Sequence, residues 1–233
     1  MIGIICAMQI EIDKINEEIE NKTTETVSGI TFTRGTLYGK DIVTAVCGIG
    51  KVFAAICTEA MIIKYNPDVI LNTGVAGTLT DKLNICDVAV SASVVQHDMD
   101  TSPLGDPVGL LSGINIIEIP ADACVAENMA RCVEKIGLKS LTGTIASGDQ
   151  FINSADKKAY IRDNFNAVAC EMEGGSVGHV CYVNKVPFAV IRAISDGAGD
   201  DSHMDYPTFA RLAAEKSATA VKLFVKEHYS EQL

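Results

Sequence analysis

The chain has 233 residues, 48% of them hydrophobic and 21% charged, with 30 acidic side chains against 19 basic ones and a formal net charge of −11. That acidity, with no cluster of Lys and Arg, argues against nucleic acid or an anionic membrane surface as a partner, since both demand a basic footprint. No apolar run approaches about 18 residues and the first eight residues lack a basic start, so neither a membrane span nor a signal peptide is expected, and a cytoplasmic location is.

Residues 1–8, Met-Ile-Gly-Ile-Ile-Cys-Ala-Met, form a continuous apolar run. It reads as a strand buried on both faces that runs into a helix near Gln9. Residues 30–38 and 41–47 are β-rich and meet at Tyr38-Gly39-Lys40-Asp41, a hairpin signal. Gly48-Ile49-Gly50 breaks the chain ahead of a helical stretch from Lys51 to Tyr65. Asp68 to Thr73 predicts a strand ending in a small-residue turn, Gly74-Val75-Ala76-Gly77, and residues 85–95 predict another strand. The stretch 98–113, with Pro103 and Pro107, is the longest expected irregular loop. Helices are expected at 121–136, 154–164 and 173–183, and strands at 140–147, 166–171 and 187–194. The last helix opens at Asp205-Tyr206-Pro207, because proline suits the first helical position. Its stripe of Phe209, Leu212, Ala213, Ala220 and Phe224 predicts a core-facing side.

Strands alternating with helices imply an α/β fold with a mostly parallel sheet covered on both faces. No linker or repeat divides the chain, so residues 1–233 read as a single domain. The eight cysteines never come closer than eight residues apart, which leaves no CxxC pair for zinc or redox chemistry. Most sit in apolar runs and read as reduced, core-filling thiols.

Three predicted strands end in small-residue turns, at Gly48-Ile49-Gly50, Gly74–Gly77 and Ser147-Gly148-Asp149. In α/β sheets ligands collect at the carboxyl ends of strands, so these turns point to one site. None is a phosphate cradle of known type: Phe53 stands where a dinucleotide fingerprint needs glycine, and Ala45 and Val52 break a P-loop. None of the five arginines (Arg34, Arg131, Arg162, Arg192, Arg211) falls in the turns at 48–50 or 74–77, and Lys51 is the one cation beside them. A neutral or zwitterionic ligand therefore fits better than a phosphorylated one.

Three carboxylates stand where strands end: Glu11, Glu173 and Asp196. Each could be a first-turn or capping acid of a helix. Together they suit glycosidic bond cleavage, which needs an acid for the leaving group and a base for water. His97, His179, His203 and His228 are scattered; His97-Asp98-Met99-Asp100 could hold a metal but reads better as solvated loop acids, and no metal is assigned.

At this point the sequence resembles a known family. The blocks are Ile2-Gly3-Ile4-Ile5 with Ala7-Met8 and Glu11; Gly48-Ile49-Gly50-Lys51-Val52; Asn72 to Gly77; Ser147 to Asn153; Glu171-Met172-Glu173; and Arg192 to Asp196 with Ser202-His203. In this order they resemble the 5′-methylthioadenosine/S-adenosylhomocysteine nucleosidases of the purine nucleoside phosphorylase-like superfamily. The resemblance implies a three-layer αβα domain with a twisted mixed sheet, a homodimer, no cofactor, and hydrolysis of the bond between adenine and a 5′-thioribose. It assigns Asp196, backed by Ser195, to protonation of adenine N7. Glu11 would hold and deprotonate the attacking water, with Arg192 close by. Glu173 would bind the ribose hydroxyls and Met172 would pack on the sugar. Phe151 would stack on the base and the Ile152 backbone would bond its edge. Met8, Ile49 and Tyr206 would line the sugar and alkylthio pocket, with Val75, Ala76 and Gly77 also in the substrate site. Leu104 would reach the neighbouring subunit's 5′ pocket from an interface loop that also carries Pro107, Val108, Leu110 and Leu111.

The chain departs from the family pattern at Cys6, Val75, Gly175 and throughout 98–113, which leaves the preferred 5′ substituent open. A phosphate-dependent phosphorylase, a hydrolase of an aminodeoxyfutalosine-type nucleoside and a non-enzymatic nucleoside-binding relative remain the alternatives.

Overall fold

The computed structural model describes residues 1–197 and 206–227, with Tyr206 described by its backbone alone. The start of the last helix at Asp205, the Ser202-His203 block and His228 therefore lie outside the described residues.

β1 (Ile2–Cys6) is buried along its whole length, as an apolar run flanked by strands on both sides should be. It pairs in parallel with β4 (Lys40–Val46) and with β5 (Val69–Thr78). β5 in turn pairs in parallel with β10 (Phe188–Asp196). From β10 the sheet continues through β6 (Val88–Gln96), β8 (Ser140–Ser147) and β9 (Ala167–Glu171). β9 then returns antiparallel to the end of β5, at Gly77 opposite Cys170 and Thr78 opposite Ala169. Five strands thus close into a ring, and β1, β4, β3 (Ile30–Leu37) and β2 (Glu20–Val27) extend from it as a wing. β7 (Ile119–Pro120) is a short antiparallel addition to β6.

Helices cover both sides. α1 (Gln9–Asn16), α3 (Ala123–Lys135) and α6 (Tyr206–Glu227) bring Ile12, Ile15, Met129, Val133, Val221 and Phe224 onto one face, against Ile2, Ile4, Leu71 and Ile191. α2 (Lys51–Tyr65) and α5 (Gly174–Asn184) bring Ala54, Cys57, Met61, Val177 and Cys181 onto the other, against Ile5, Val43 and Ile70. Adjacent strand residues such as Ile4 and Ile5 serve opposite cores, which is the period of a strand. α4 (Ala155–Phe165) packs Ile161 and Phe165 over Ala146, Ala167 and Cys170, outside the ring.

The expected three-layer α/β architecture is present, and the sheet is mixed: among the described residues, parallel and antiparallel pairings are equally frequent. Four details differ from the reading of the sequence. β2 was not expected, because Glu-Asn-Lys-Thr-Thr-Glu-Thr-Val is an almost wholly exposed edge strand with no apolar alternation. Gly74–Gly77 is no turn but the second half of β5, buried throughout. Leu212 of α6 faces solvent, while Ala210, Ala214 and Val221 join Ala213, Ala220 and Phe224 in the core. In the 98–113 loop, which holds one short turn of 3₁₀ helix at Ser102–Leu104, Leu111 is buried and Val108 and Leu110 are half-buried. Of the apolar patch expected there, Leu104 and Pro107 are exposed. Six of the eight cysteines are buried; Cys86 is half-buried and Cys124 exposed.

Candidate active site

Glu11 occupies the first turn of α1, just beyond the end of β1. Its Oε2 accepts the Ala7 and Met8 backbone N–H groups at 3.0 and 2.9 Å, so the acid does cap its helix. Its Oε1 accepts the N–H of Val75 from β5 at 3.1 Å. The capping role and a role in a site therefore coincide in one buried carboxyl. Burial pushes its pKa above the usual carboxylate range, against the opposing pull of Arg192 and the three N–H donors.

Arg192 lies mid-strand in β10, fully buried, opposite Gly74 in the β5–β10 ladder. An arginine therefore does stand beside the small-residue segment, a placement the linear sequence conceals. Its Nη2 donates to Asn72 Oδ1 at 2.6 Å and to Glu171, and lies 3.5 Å from Glu173 Oε2. Burial works against its charge, but Glu171, Glu173 and Glu11 outweigh it and hold the guanidinium protonated. A Cβ at Gly74 would collide with the Arg192 guanidinium and come within 2.5 Å of Glu11 Oε1. Glycine is required there by side chains arriving from α1 and β10, not by a turn.

Glu171 and Glu173 follow each other across the β9–α5 junction. Glu171 accepts the backbone N–H groups of Glu173 and Gly174 and the Ser147 hydroxyl, closing the open N-terminus of α5. Glu173 Oε1 accepts the N–H of Gly50 at 2.8 Å, which ties the Gly48-Ile49-Gly50 turn to the site. Gly50 has φ +100°, a conformation that suits glycine. Burial first, then the neighbouring Glu171, push the Glu173 carboxyl up to about 7.

Asp196 is the last residue of β10 and buried. Its Oδ1 accepts the Ser195 hydroxyl at 3.1 Å. The other oxygen lies 3.5 Å from Nζ of Lys158, a buried lysine of α4. A Cβ at Gly77 would come within 2.7 Å of that same oxygen, so Gly77, like Gly74, is cleared for a carboxylate.

These groups surround a single cavity that opens to solvent. Met8, Glu11, Ile49, Val75, Ala76, Gly77, Phe151, Ile152, Met172, Glu173, Ser195 and Asp196 all line it. Arg192 stands behind the wall. Leu104 does not line it; it is 84% exposed on the 98–113 loop. Tyr206, expected in the same pocket, has a side chain outside the described residues. Ala7, Gln150, Cys170 and Glu171 also line the cavity and were not singled out from the sequence. Glu171 carried the same signal as Glu173, an acid directly after an apolar strand; Lys158 carried none, lying in the charged stretch Ala-Asp-Lys-Lys. Among the described residues four carboxylates face the cavity and no lysine or arginine does. Lys51 instead pairs with Asp98 at 2.6 Å, so that acid, expected to be solvated, is engaged and largely covered.

The sequence model of the phosphorylase superfamily matches residues 1–226. A protein of Shewanella halifaxensis named 5′-methylthioadenosine/S-adenosylhomocysteine nucleosidase is 40% identical over 228 residues, 97% of this chain and 99% of that one. The chain belongs to the 5′-methylthioadenosine/S-adenosylhomocysteine nucleosidase family. Solved structures agree with that placement. A nucleosidase of this name from Colwellia psychrerythraea, in complex with adenine, superposes with a TM-score of 0.94 at 32% identity, covering 100% of this chain and 97% of that one. The native structure of a futalosine hydrolase from Helicobacter pylori superposes with a TM-score of 0.92 at 35% identity, covering 97% of both chains.

Proposed function

We propose that the protein hydrolyses the N-glycosidic bond of 5′-thio-substituted adenosines, 5′-methylthioadenosine and S-adenosylhomocysteine, releasing adenine and the 5′-thioribose. One observation carries this reading: a cavity lined by two separately anchored acids, Glu11 and Asp196, with no cation on its wall among the described residues. Asp196 donates its proton to N7 of adenine, and the electron pair of the C1′–N9 bond leaves with the base. The sugar becomes oxocarbenium-like, and Glu11, Glu171 and Glu173 supply negative charge around it in a water-poor site. A water oxygen then bonds to C1′ and gives its proton to Glu11, whose raised pKa makes it a stronger base than an ordinary carboxylate. Glu173 receives the ribose hydroxyls, and Met172 and Phe151 cover the sugar and the base.

A phosphorylase needs cations for its phosphate. Here Arg192 is already engaged by Glu171 and Asn72, and Lys51 by Asp98. Adenine release should therefore be independent of added phosphate. The test is release from 5′-methylthioadenosine, S-adenosylhomocysteine, adenosine and futalosine, with and without phosphate, and mass analysis of the sugar. A sugar 1-phosphate whose yield rises with phosphate would overturn the reading, and preference for futalosine would move the substrate.

A homodimer belongs to the same proposal. Support for it comes from α2, where Val52, Phe53 and Ile63 are 69%, 55% and 75% exposed, an apolar face that costs free energy in water. Such a dimer would let Leu104 reach a partner's pocket. Sedimentation at micromolar concentration should give twice the chain mass, and a monomer would remove both ideas. Among the described residues no helix is long and apolar enough to cross a membrane. A cytoplasmic location and the lack of a cofactor complete the proposal.

A further inference from the structure

Lys158 is a buried cation that the cavity wall does not include. It sits in the first half of α4 and is 5% exposed. Its Nζ donates to the carbonyl of Gly197 at 2.5 Å and lies 3.5 Å from Asp196 Oδ2. A lysine almost never sits this deep unless its charge has a purpose for a partner. Its partners are the last residue of β10 and the residue after it, the place where the sheet stops holding the chain.

We propose that Lys158 is a positioning residue for Asp196, acting on proton donation through that carboxyl alone. This inference rests on the proposed role of Asp196 as the acid. When Asp196 gives its proton to the base, it passes from neutral to negative in a cavity that already holds Glu11, Glu171 and Glu173. Without a nearby cation that new charge would be opposed by like charges in a medium that screens them poorly. The Lys158 ammonium stands behind the carboxylate as it forms, and so favours the transition state over the ground state. Its bond to Gly197 fixes the ammonium and the end of β10 together, which keeps Asp196 Oδ2 in the gap left by the missing Cβ of Gly77. The proton itself travels only from Asp196 to N7; Lys158 keeps all of its own.

The test is a double-mutant cycle on adenine release in the steady state. D196N against wild type checks the acid role by itself, so its failure is separable from failure of the present inference. K158Q, which keeps a donor but no charge, should lower kcat at least about 10-fold with little change in KM. In the D196N background the same change should cost less than about 2-fold, because no carboxylate then forms. K158R should recover most of the wild-type kcat. Equal losses in both backgrounds would mean that Lys158 only supports the fold, and full activity of K158Q would mean that it does nothing for the acid; either overturns the proposal. Should K158Q fail to fold, K158R decides: a loss in kcat as large in D196N as in wild type refutes the proposal, and retained activity with charge retained supports it.

Discussion

The two ends of the cavity are built differently. At the sugar end Glu11, Arg192, Glu171 and Glu173 hang from β9, β10 and two helix starts, and every one is tied to backbone or to another of the set. At the base end Asp196 stands where β10 runs out, facing Lys158 from α4, and Phe151 is 54% exposed in the loop between β8 and α4. The sugar end is therefore a rigid electrostatic frame whose charges are set before substrate arrives. At the base end the described partners of the Asp196 carboxyl are Ser195 and Lys158, and there single atoms decide the chemistry.

If that contrast is right, the largest effect comes from the base end. Asp196→Asn should slow adenine release about 10³-fold or more while the protein stays folded, because an amide delivers no proton. Retention of a tenth of the wild-type rate would refute its role. Glu11→Gln should cost at least about 100-fold in the same assay, since the water loses its base. Next come the two glycines. Gly74→Ala places a methyl among the frame's paired charges and should destabilise the fold by about 1–3 kcal/mol in denaturant titration. Gly77→Ala meets the Asp196 carboxyl first and should leave stability nearer wild type while lowering kcat. If both variants melt alike, the two ends do not differ in rigidity.

Smaller effects sharpen the picture. Phe151→Ala should raise KM roughly tenfold with kcat little changed, the scale of one lost stacking contact on a base. The smallest effect is a slope. The folded protein holds a proton on Glu173 up to about 7, above its ordinary 4.5. The folded state therefore binds more protons than the unfolded one between those values, and this group's contribution to stability is full below about 4.5 and falls as pH rises towards 7. Glu173→Gln carries no such titration, so its melting temperature relative to wild type should climb by a few degrees from about pH 5 to about pH 7.5. A flat difference would show that Glu173 is ionised throughout.

Much of this was legible in the residues. Apolar runs gave the strands, and charges at their ends gave Glu11, Glu173 and Asp196, because burying an acid after a strand is costly without a use. What escaped was non-local. Gly74 and Gly77 looked like turn residues, yet their function is to lack a Cβ opposite side chains from strands over a hundred residues away. The pairing of Arg192 with Glu171, and of Lys158 with Asp196, exists only once the ring of strands closes. β2 escaped for the opposite reason: it buries almost nothing, so no hydrophobic pattern marks it.

The anchoring of Glu11 has a stereochemical consequence. A carboxylate offers about four acceptor lobes. Ala7, Met8 and Val75 occupy three, two on Oε2 and one on Oε1. One lobe is left, so one water can be held and its approach to C1′ has a single direction. The sugar should leave the enzyme as one anomer, and any mixture seen later would arise by ring opening in solution.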